Sequence, residues 1–224
     1  MIFVDEHKIV KCATEELPEN VIGAAVLVES NKVPHAGIFV RYNGDSKLFH
    51  FTSEEVLLED FNDTEIYFFK EFPFIKPALT PAFLAHCQIV MKEARPKFGY
   101  FYVGAEYDEH GKFRSPGDFP EYMTCVGFCL NFLKFFTDGI DLFEIGDWDE
   151  SKMKRSEEYI AKFLNDVQKD NPEIDINSFR KGLRRVWPLE YFSGTFSGTL
   201  PVTKAFVDSI STTVNGTLLK MARA

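Results

Sequence analysis

Short runs of hydrophobic and β-forming residues, separated by polar turns, dominate the first third of the chain. Residues 21–28 (VIGAAVLV) and 35–42 (HAGIFVRY) are two such runs, and apolar and polar side chains alternate in residues 47–52 (KLFHFT). Asn43-Gly44 separates the last two segments, and this dipeptide is typical of the two-residue turn of a β-hairpin. We therefore predict an antiparallel hairpin here, with a further strand at 65–69.

Helical spacing of apolar residues becomes the main pattern after residue 80. Residues 81–94 carry one apolar face, whereas residues 124–136 (TCVGFCLNFLKFF) are apolar on almost all sides, which indicates a helix buried over most of its surface. Further helices are predicted at 151–167, 178–186 and 201–221. The fold class that we expect is α+β, with an antiparallel sheet packed on the helix at 124–136.

Composition and charge narrow the possible functions. Of the 224 residues, 45% are hydrophobic and 26% are charged, as in ordinary globular proteins. The formal net charge of −9 provides no basic surface for nucleic acid or for an anionic membrane. No apolar run reaches the roughly 18 residues of a membrane span, and the N-terminus lacks the pattern of a secretory signal. Four cysteines are too few for a disulfide scaffold, so we expect a cytoplasmic protein.

One cysteine and two histidines are the chemically informative residues. Cys125 begins the buried helix behind Thr124, a candidate N-cap, and the positive end of the helix dipole there lowers the pKa of a thiol. His35 and His50 lie on the two strands of the predicted hairpin, where they can share a face and bring their rings together. A cysteine nucleophile needs a base, and the base needs an orienting group. Cys125, His35 and His50 are therefore a candidate catalytic triad.

Two other interpretations use the same residues. Histidines in strands and cysteines in helices commonly serve only in packing, which would leave a binding module without catalysis whose acidic surface meets a basic partner. A zinc site is the second interpretation, because Cys125, Cys129, His35 and His50 are ligand types that zinc prefers. The two histidines, however, are not the short-spaced pair of a zinc-finger motif.

The segment PHAGIFVRYNGDSKLFHF, residues 34–51, resembles the His-containing hairpin of circularly permuted NlpC/P60 papain-like proteins. That group includes YiiX-like hydrolases and the lecithin:retinol acyltransferase family. Its pattern is a His at the start of a strand, an apolar run, a Gly-containing turn and a second polar residue, with the Cys far downstream at the start of a helix, as in MTCVGF at 123–128. The resemblance covers about residues 20–135. The Asn-Cys-Glu-His box of the retinol acyltransferase group is absent around Cys125.

The resemblance implies a papain-like fold and thiol-dependent acyl hydrolysis or transfer, which we expect to be that of a cysteine peptidase or amidase. In this scheme Cys125 attacks the carbonyl carbon, His35 is the base and His50 orients the ring of His35. The expected substrate is a peptide, an amide or a lipid-like acyl compound, and neither a cofactor nor a metal is predicted. A lipid acyltransferase or esterase is an alternative within the same chemistry.

The C-terminal third lies beyond the resemblance. We divide the chain into a core, residues 1–148, and a helical extension, residues 149–224. An amphipathic helix needs an apolar partner surface, so we expect the extension to pack on the core and to help shape the substrate cleft. The tetrapeptide FSGT occurs twice in residues 192–199, which we predict to be the mobile part of that segment.

Overall fold

The structure, a computed structural model, describes residues 8–12, 17–30, 32–61, 64–148 and 157–223. The strands of this part are β1 (Val10–Lys11), β2 (Val21–Glu29), β3 (Lys32–Tyr42), β4 (Asp45–Phe51), β5 (Val56–Asp60), β6 (Tyr67–Glu71), β7 (Lys97–Phe98), β8 (Phe101–Tyr102), β9 (Glu106–Tyr107), β10 (Phe113–Arg114), β11 (Tyr122–Met123) and β12 (Leu183–Arg184). The α-helices are α1 (Thr80–Glu93), α2 (Cys125–Leu133), α3 (Glu157–Asp170), α4 (Ile176–Gly182), α5 (Pro188–Gly194) and α6 (Lys204–Ala222). The expected α+β class is confirmed.

Six strands form one antiparallel sheet in the order β1-β6-β2-β3-β4-β5. The hairpin β3–β4 turns at Asn43 and Gly44, whose φ angles of 52° and 88° are the left-handed values that such a turn requires. The hairpin and the strand predicted at 65–69 are confirmed. β5 was not predicted, because its sequence VLLED shows no alternation of apolar and polar residues.

The two faces of this sheet bury different sets of side chains. Along β3, Ala36, Ile38 and Val40 belong to the main core with α2, whereas Phe39 belongs to a smaller cluster on the opposite face. Successive side chains of a strand point to opposite faces. His35 therefore shares the face of Phe39 and lies on the side of the sheet away from α2.

α2 is buried almost all round, as its sequence predicts. The rings of Phe128 and Phe132 pack on Phe49 of β4, with centroid distances of 5.0 and 4.7 Å. These contacts hold the helix across the main-core face of the sheet. Within the described part of the chain, no helix has both the length and the apolar character that a membrane span requires.

The C-terminal helices contribute to two clusters. α5 and α6 complete the main core, with Tyr191, Phe192, Val207, Ile210, Val214 and Leu218 as their buried apolar residues. α3 and α4 pack instead on the segment around β8 and β11, where Ile160, Leu164 and Phe179 meet Tyr100 and Tyr122. The sheet and the C-terminal helices therefore share one continuous interior through α5 and α6.

The prediction that both FSGT copies form a loop is wrong for the first copy, whereas the second copy lies outside the helices. The first copy lies largely inside α5, which begins at Pro188, and the side chains of Ser193 and Thr195 are buried. The hydroxyl of Thr195 donates to the Phe192 carbonyl at 2.7 Å, so burial leaves this polar group satisfied. Gly194 is small for a packing reason, because a Cβ there would lie 2.6 Å from the ring of Phe143.

Candidate active site

Cys125 is the first residue of α2, and the helix start that the sequence predicts is confirmed. Thr124 has an extended backbone, and its hydroxyl oxygen accepts a hydrogen bond from the Gly127 amide at 3.0 Å, as an N-cap does. Cys125 is half-buried, whereas Cys12, Cys87 and Cys129 are buried. Cys125 is therefore the least buried of the four cysteines.

His35 and His50 meet on the face of the sheet opposite α2. Nε2 of His35 lies 2.8 Å from Nδ1 of His50, and the ring centroids are 5.0 Å apart with an interplanar angle of 74°. Ile38 pairs with Phe49. In this register His35 and His50 are not directly opposite each other but lie diagonally across the two strands. The shared face and the contact agree with the prediction from the sequence, and the register of the strands adds the diagonal offset.

Glu59 extends this pair into a chain of three side chains. Its Oε1 lies 3.0 Å from Nε2 of His50, and its side chain is half-exposed on β5. His50 pairs with Leu57, so Glu59 is again one diagonal step along the same face. Glu59 was not among the predicted site residues because β5 itself was not predicted.

The carboxylate of Glu59 determines which nitrogens carry protons. A carboxylate only accepts hydrogen bonds, so Nε2 of a neutral His50 holds the proton and Nδ1 is left as an acceptor. Nε2 of His35 then donates to that Nδ1, and Nδ1 of His35 keeps its lone pair. The chain of hydrogen bonds therefore prepares Nδ1 of His35 to act as a base.

Burial changes the acid–base properties of all three candidate catalytic groups. Burial, followed by repulsion from His50, lowers the pKa of His35 to about 4. Burial also lowers the pKa of His50, although Glu59 and Glu65 oppose this effect. Both rings are consequently neutral at pH 7, which is the state that the hydrogen-bonding argument requires.

The thiol of Cys125 has a raised pKa, which corrects the prediction of a lowered one. Burial is the largest cause, and it outweighs the lowering effects of the Ala36, Val126 and Cys125 backbone amides and of Arg185. The helix terminus therefore lowers the pKa of Cys125, as predicted, but by less than burial raises it. Arg185 was not predicted as a site residue, because it lies sixty residues downstream of the cysteine.

The Cys125 sulfur contacts the backbone directly after His35 in β3. The amide of Ala36, the residue after His35, hydrogen-bonds the Cys125 sulfur. Within the described ranges, the hydrogen bonds of the structure join the sulfur to neither histidine ring. Catalytic hydrogen bonds are often long in the absence of substrate and tighten in its complex. Proton transfer between the two groups therefore requires the thiol to leave the Ala36 amide and reach Nδ1 of His35.

Cys129, a residue of the zinc interpretation, lies one turn further along α2 and is fully buried. The Tyr191 hydroxyl contacts its sulfur, and burial raises the pKa of this thiol well above the usual range. In the described ranges, no three His, Cys, Asp or Glu side chains are grouped so as to hold a metal ion.

Comparison of the chain with models of protein families, with curated proteins and with solved structures finds no match.

Proposed function

We propose that this protein is a thiol-dependent acyl hydrolase or acyltransferase, specifically a cysteine peptidase or amidase with the arrangement of a permuted NlpC/P60 papain-like enzyme. The order along the chain supports this proposal, because the two histidines on adjacent strands precede a cysteine at the start of a buried helix. The observation that carries it is the hydrogen-bonded chain His35–His50–Glu59, which ends beside the backbone contacted by Cys125.

The proposed reaction has two steps. Nδ1 of His35 takes the proton of the Cys125 thiol while the sulfur attacks the carbonyl carbon, and the C–N bond breaks as His35 returns that proton to the leaving amine. Water then attacks the resulting thioester with His35 as base, which releases the carboxylic acid and regenerates the thiol. If an alcohol or amine replaces water in the second step, the same site performs acyl transfer.

The test is acyl transfer to Cys125 itself. The full chain is incubated with 4-nitrophenyl acetate, release of 4-nitrophenolate is followed, and the acetyl group is located by peptide mapping. We expect turnover, with the acetyl group of the intermediate found on Cys125. The Cys125→Ala protein should lose turnover but keep its fold, since Ala is well tolerated in the first turn of a helix.

Two variants make this test specific. Cys129→Ala should retain turnover, because Cys129 is buried in the core and has no part in the proposed reaction. His35→Ala should keep a thiol that iodoacetamide can alkylate but lose turnover, which separates a catalytic cysteine from a merely exposed one. Turnover that persists in Cys125→Ala would overturn the proposal.

A binding module without catalysis is the second candidate, and the raised pKa of Cys125 favours it. In that case the acetyl group would accumulate on Cys125 without hydrolysis, at a rate unaffected by His35→Ala. The same experiment therefore distinguishes the two functions.

A further inference from the structure

A groove lined by aromatic side chains lies beside the Cys125 end of α2. Its volume is about 330 Å³, and its lining residues are Phe98, Gly99, Tyr100, Tyr159, Phe163 and Arg185. We call it the aromatic groove. It adjoins the candidate active site because the Gly99 amide donates to the Met123 carbonyl at 3.0 Å, two residues before Cys125.

The walls of the aromatic groove are unusually exposed for apolar side chains. Tyr159 is 73% exposed, Phe98 is 58% exposed, and Trp187, which stacks on Arg185, is 54% exposed. These are the three most exposed large apolar side chains in the described part of the chain. Their concentration around one groove is typical of a ligand-binding surface.

Arg185 is the only charged residue that lines the aromatic groove in the described part of the chain. Its guanidinium lies 4.1 Å from the ring centroid of Trp187 and 5.8 Å from that of Tyr100. Among the described residues, the ion pairs of the structure leave Arg185 without a carboxylate partner. In a chain of net charge −9, an arginine that lies over two aromatic rings and has no carboxylate partner among the described residues is suited to an anionic ligand.

The charge of Arg185 reaches the candidate nucleophile. It lowers the pKa of the Cys125 thiol against the effect of burial, and the hydrogen bond between Gly99 and Met123 places the groove next to the start of α2. An anion bound by Arg185 would therefore lie at the same end of α2 as Cys125.

We propose that the aromatic groove binds the side chain of a substrate whose free carboxylate pairs with Arg185. The substrates would then be N-acylated amino acids, or short peptides, that end in an aromatic or large aliphatic residue. In such compounds the carboxylate carbon is three bonds from the scissile carbonyl carbon, so one molecule carries both the anion for Arg185 and the carbonyl group for Cys125. A single guanidinium balances a monoanion, which favours a carboxylate over a dianionic phosphate monoester. The binding part of this inference stands alone, and only its link to cleavage rests on the proposed function.

Isothermal titration of the full-length Cys125→Ala protein tests binding without turnover. N-acetyl-L-phenylalanine is compared with its uncharged amide, N-acetyl-L-phenylalanine amide. We expect the acid to bind about tenfold more tightly than the amide, as a charge-assisted hydrogen bond implies. Arg185→Met, added to this protein, should remove that preference, and Arg185→Lys should retain part of it.

Matched variants separate charge from packing. Arg180→Met makes the same substitution at an exposed arginine of α4 and should leave both affinities unchanged. Tyr159→Ala removes an exposed part of the wall and should weaken the acid and the amide by a similar factor. Equal affinities for acid and amide, or a folded Arg185→Met protein that keeps the preference, would overturn the inference.

Failure of this inference can be told apart from failure of the proposed function. If the acid binds through Arg185 but the wild-type chain neither hydrolyses it nor turns over 4-nitrophenyl acetate, the aromatic groove is a ligand site and the catalytic proposal is wrong. If turnover at Cys125 is found but the groove does not prefer the acid, the catalytic proposal stands and the substrate assignment is wrong.

Discussion

The acid–base states of Cys125 and His35 imply a neutral catalytic pair. The pKa of His35 is about 4 and that of Cys125 lies above its usual value, so at pH 7 the imidazole is unprotonated and the thiol keeps its proton. An ion pair would require the opposite shifts. Proton transfer therefore accompanies attack on the substrate rather than preceding it.

The first prediction concerns the alkylation of Cys125 by iodoacetamide. Because the thiolate is the reactive form and burial raises the thiol pKa, the rate should rise about tenfold per pH unit from pH 7 to pH 9. The rate is measured by peptide mapping of the native protein at each pH. A plateau between pH 5 and pH 8 would reveal an ion pair with His35 and contradict the neutral-pair description.

The second prediction ranks the three residues of the hydrogen-bonded chain by their effect on the rate of acyl transfer. His35→Ala should cost about 10²–10⁴-fold, because it removes the general base. His50→Ala should cost less, and Glu59→Leu less still, since these residues position the base and do not touch the substrate. Initial rates with 4-nitrophenyl acetate give the order.

Glu59→Gln provides the control for that ranking. The amide oxygen of Gln can accept the same hydrogen bond from Nε2 of His50, so this variant should recover most of the rate lost in Glu59→Leu. The pH profile is a second check, because the acid limb should lie near pH 4 rather than near 6.5, the usual pKa of histidine. A larger loss in His50→Ala than in His35→Ala would reverse the two assigned roles.

At the scale of the element, three adjacent strands carry the polar chain as a diagonal row. β3 supplies His35, β4 supplies His50 and β5 supplies Glu59, each on the face away from α2. The side chain of His50 needs space between β3 and β4. Gly37 provides it, because a Cβ there would lie 2.9 Å from the Cβ of His50 and 3.1 Å from the Phe49 carbonyl oxygen.

The third prediction is that Gly37→Ala displaces His50 and lowers both stability and acyl transfer. Overpacking of a close site costs about 1–3 kcal/mol, and here one of the clashing groups is backbone, which cannot rotate away. The measurements are the free energy of unfolding in urea and the rate with 4-nitrophenyl acetate. Gly146→Ala is the matched control, because a Cβ there would meet no atom within 4 Å. Equal stability and rate in the two variants would show that the spacing of the hairpin does not hold His50.

At the scale of the whole molecule, the C-terminal helices are part of the core that supports the site. Val207, Ile210, Val214 and Leu218 of α6 are 0–1% exposed and belong to the same cluster as the strands. Full burial of one such side chain contributes about 1.5–3 kcal/mol, whereas the net stability of a domain is about 5–15 kcal/mol. Loss of α6 alone would therefore remove an amount comparable with the whole stability.

The fourth prediction follows for truncation of the chain after residue 148. The shortened protein should not fold, and circular dichroism in the near ultraviolet should show no fixed aromatic environment. The full-length Tyr159→Ala protein should keep its native spectrum, because this side chain of the same region is largely exposed. A soluble truncated protein with native near-ultraviolet signals would show that residues 149–224 are an independent module.

Several features could be predicted from the sequence because they depend on neighbours along the chain. The turn at Asn43-Gly44 determines the hairpin register, and the register places His35 and His50 on one face. Thr124 marks the start of α2, and the continuous apolar run that follows indicates its burial. The candidate triad can thus be identified from local sequence patterns. Its papain-like permuted arrangement and its chemistry stay predictions.

The remaining features depend on contacts between distant segments, and only the tertiary structure determines them. Glu59 reaches His50 because β5 joins the sheet, and Arg185 reaches Cys125 because the segment after β12 returns to the start of α2. The loop prediction for the first FSGT copy failed for the same reason, since α5 packs against distant residues such as Phe143. The raised pKa of Cys125 is also a tertiary effect: the helix terminus is visible in the sequence, but the desolvation that outweighs it exists only once the chain is packed around the thiol.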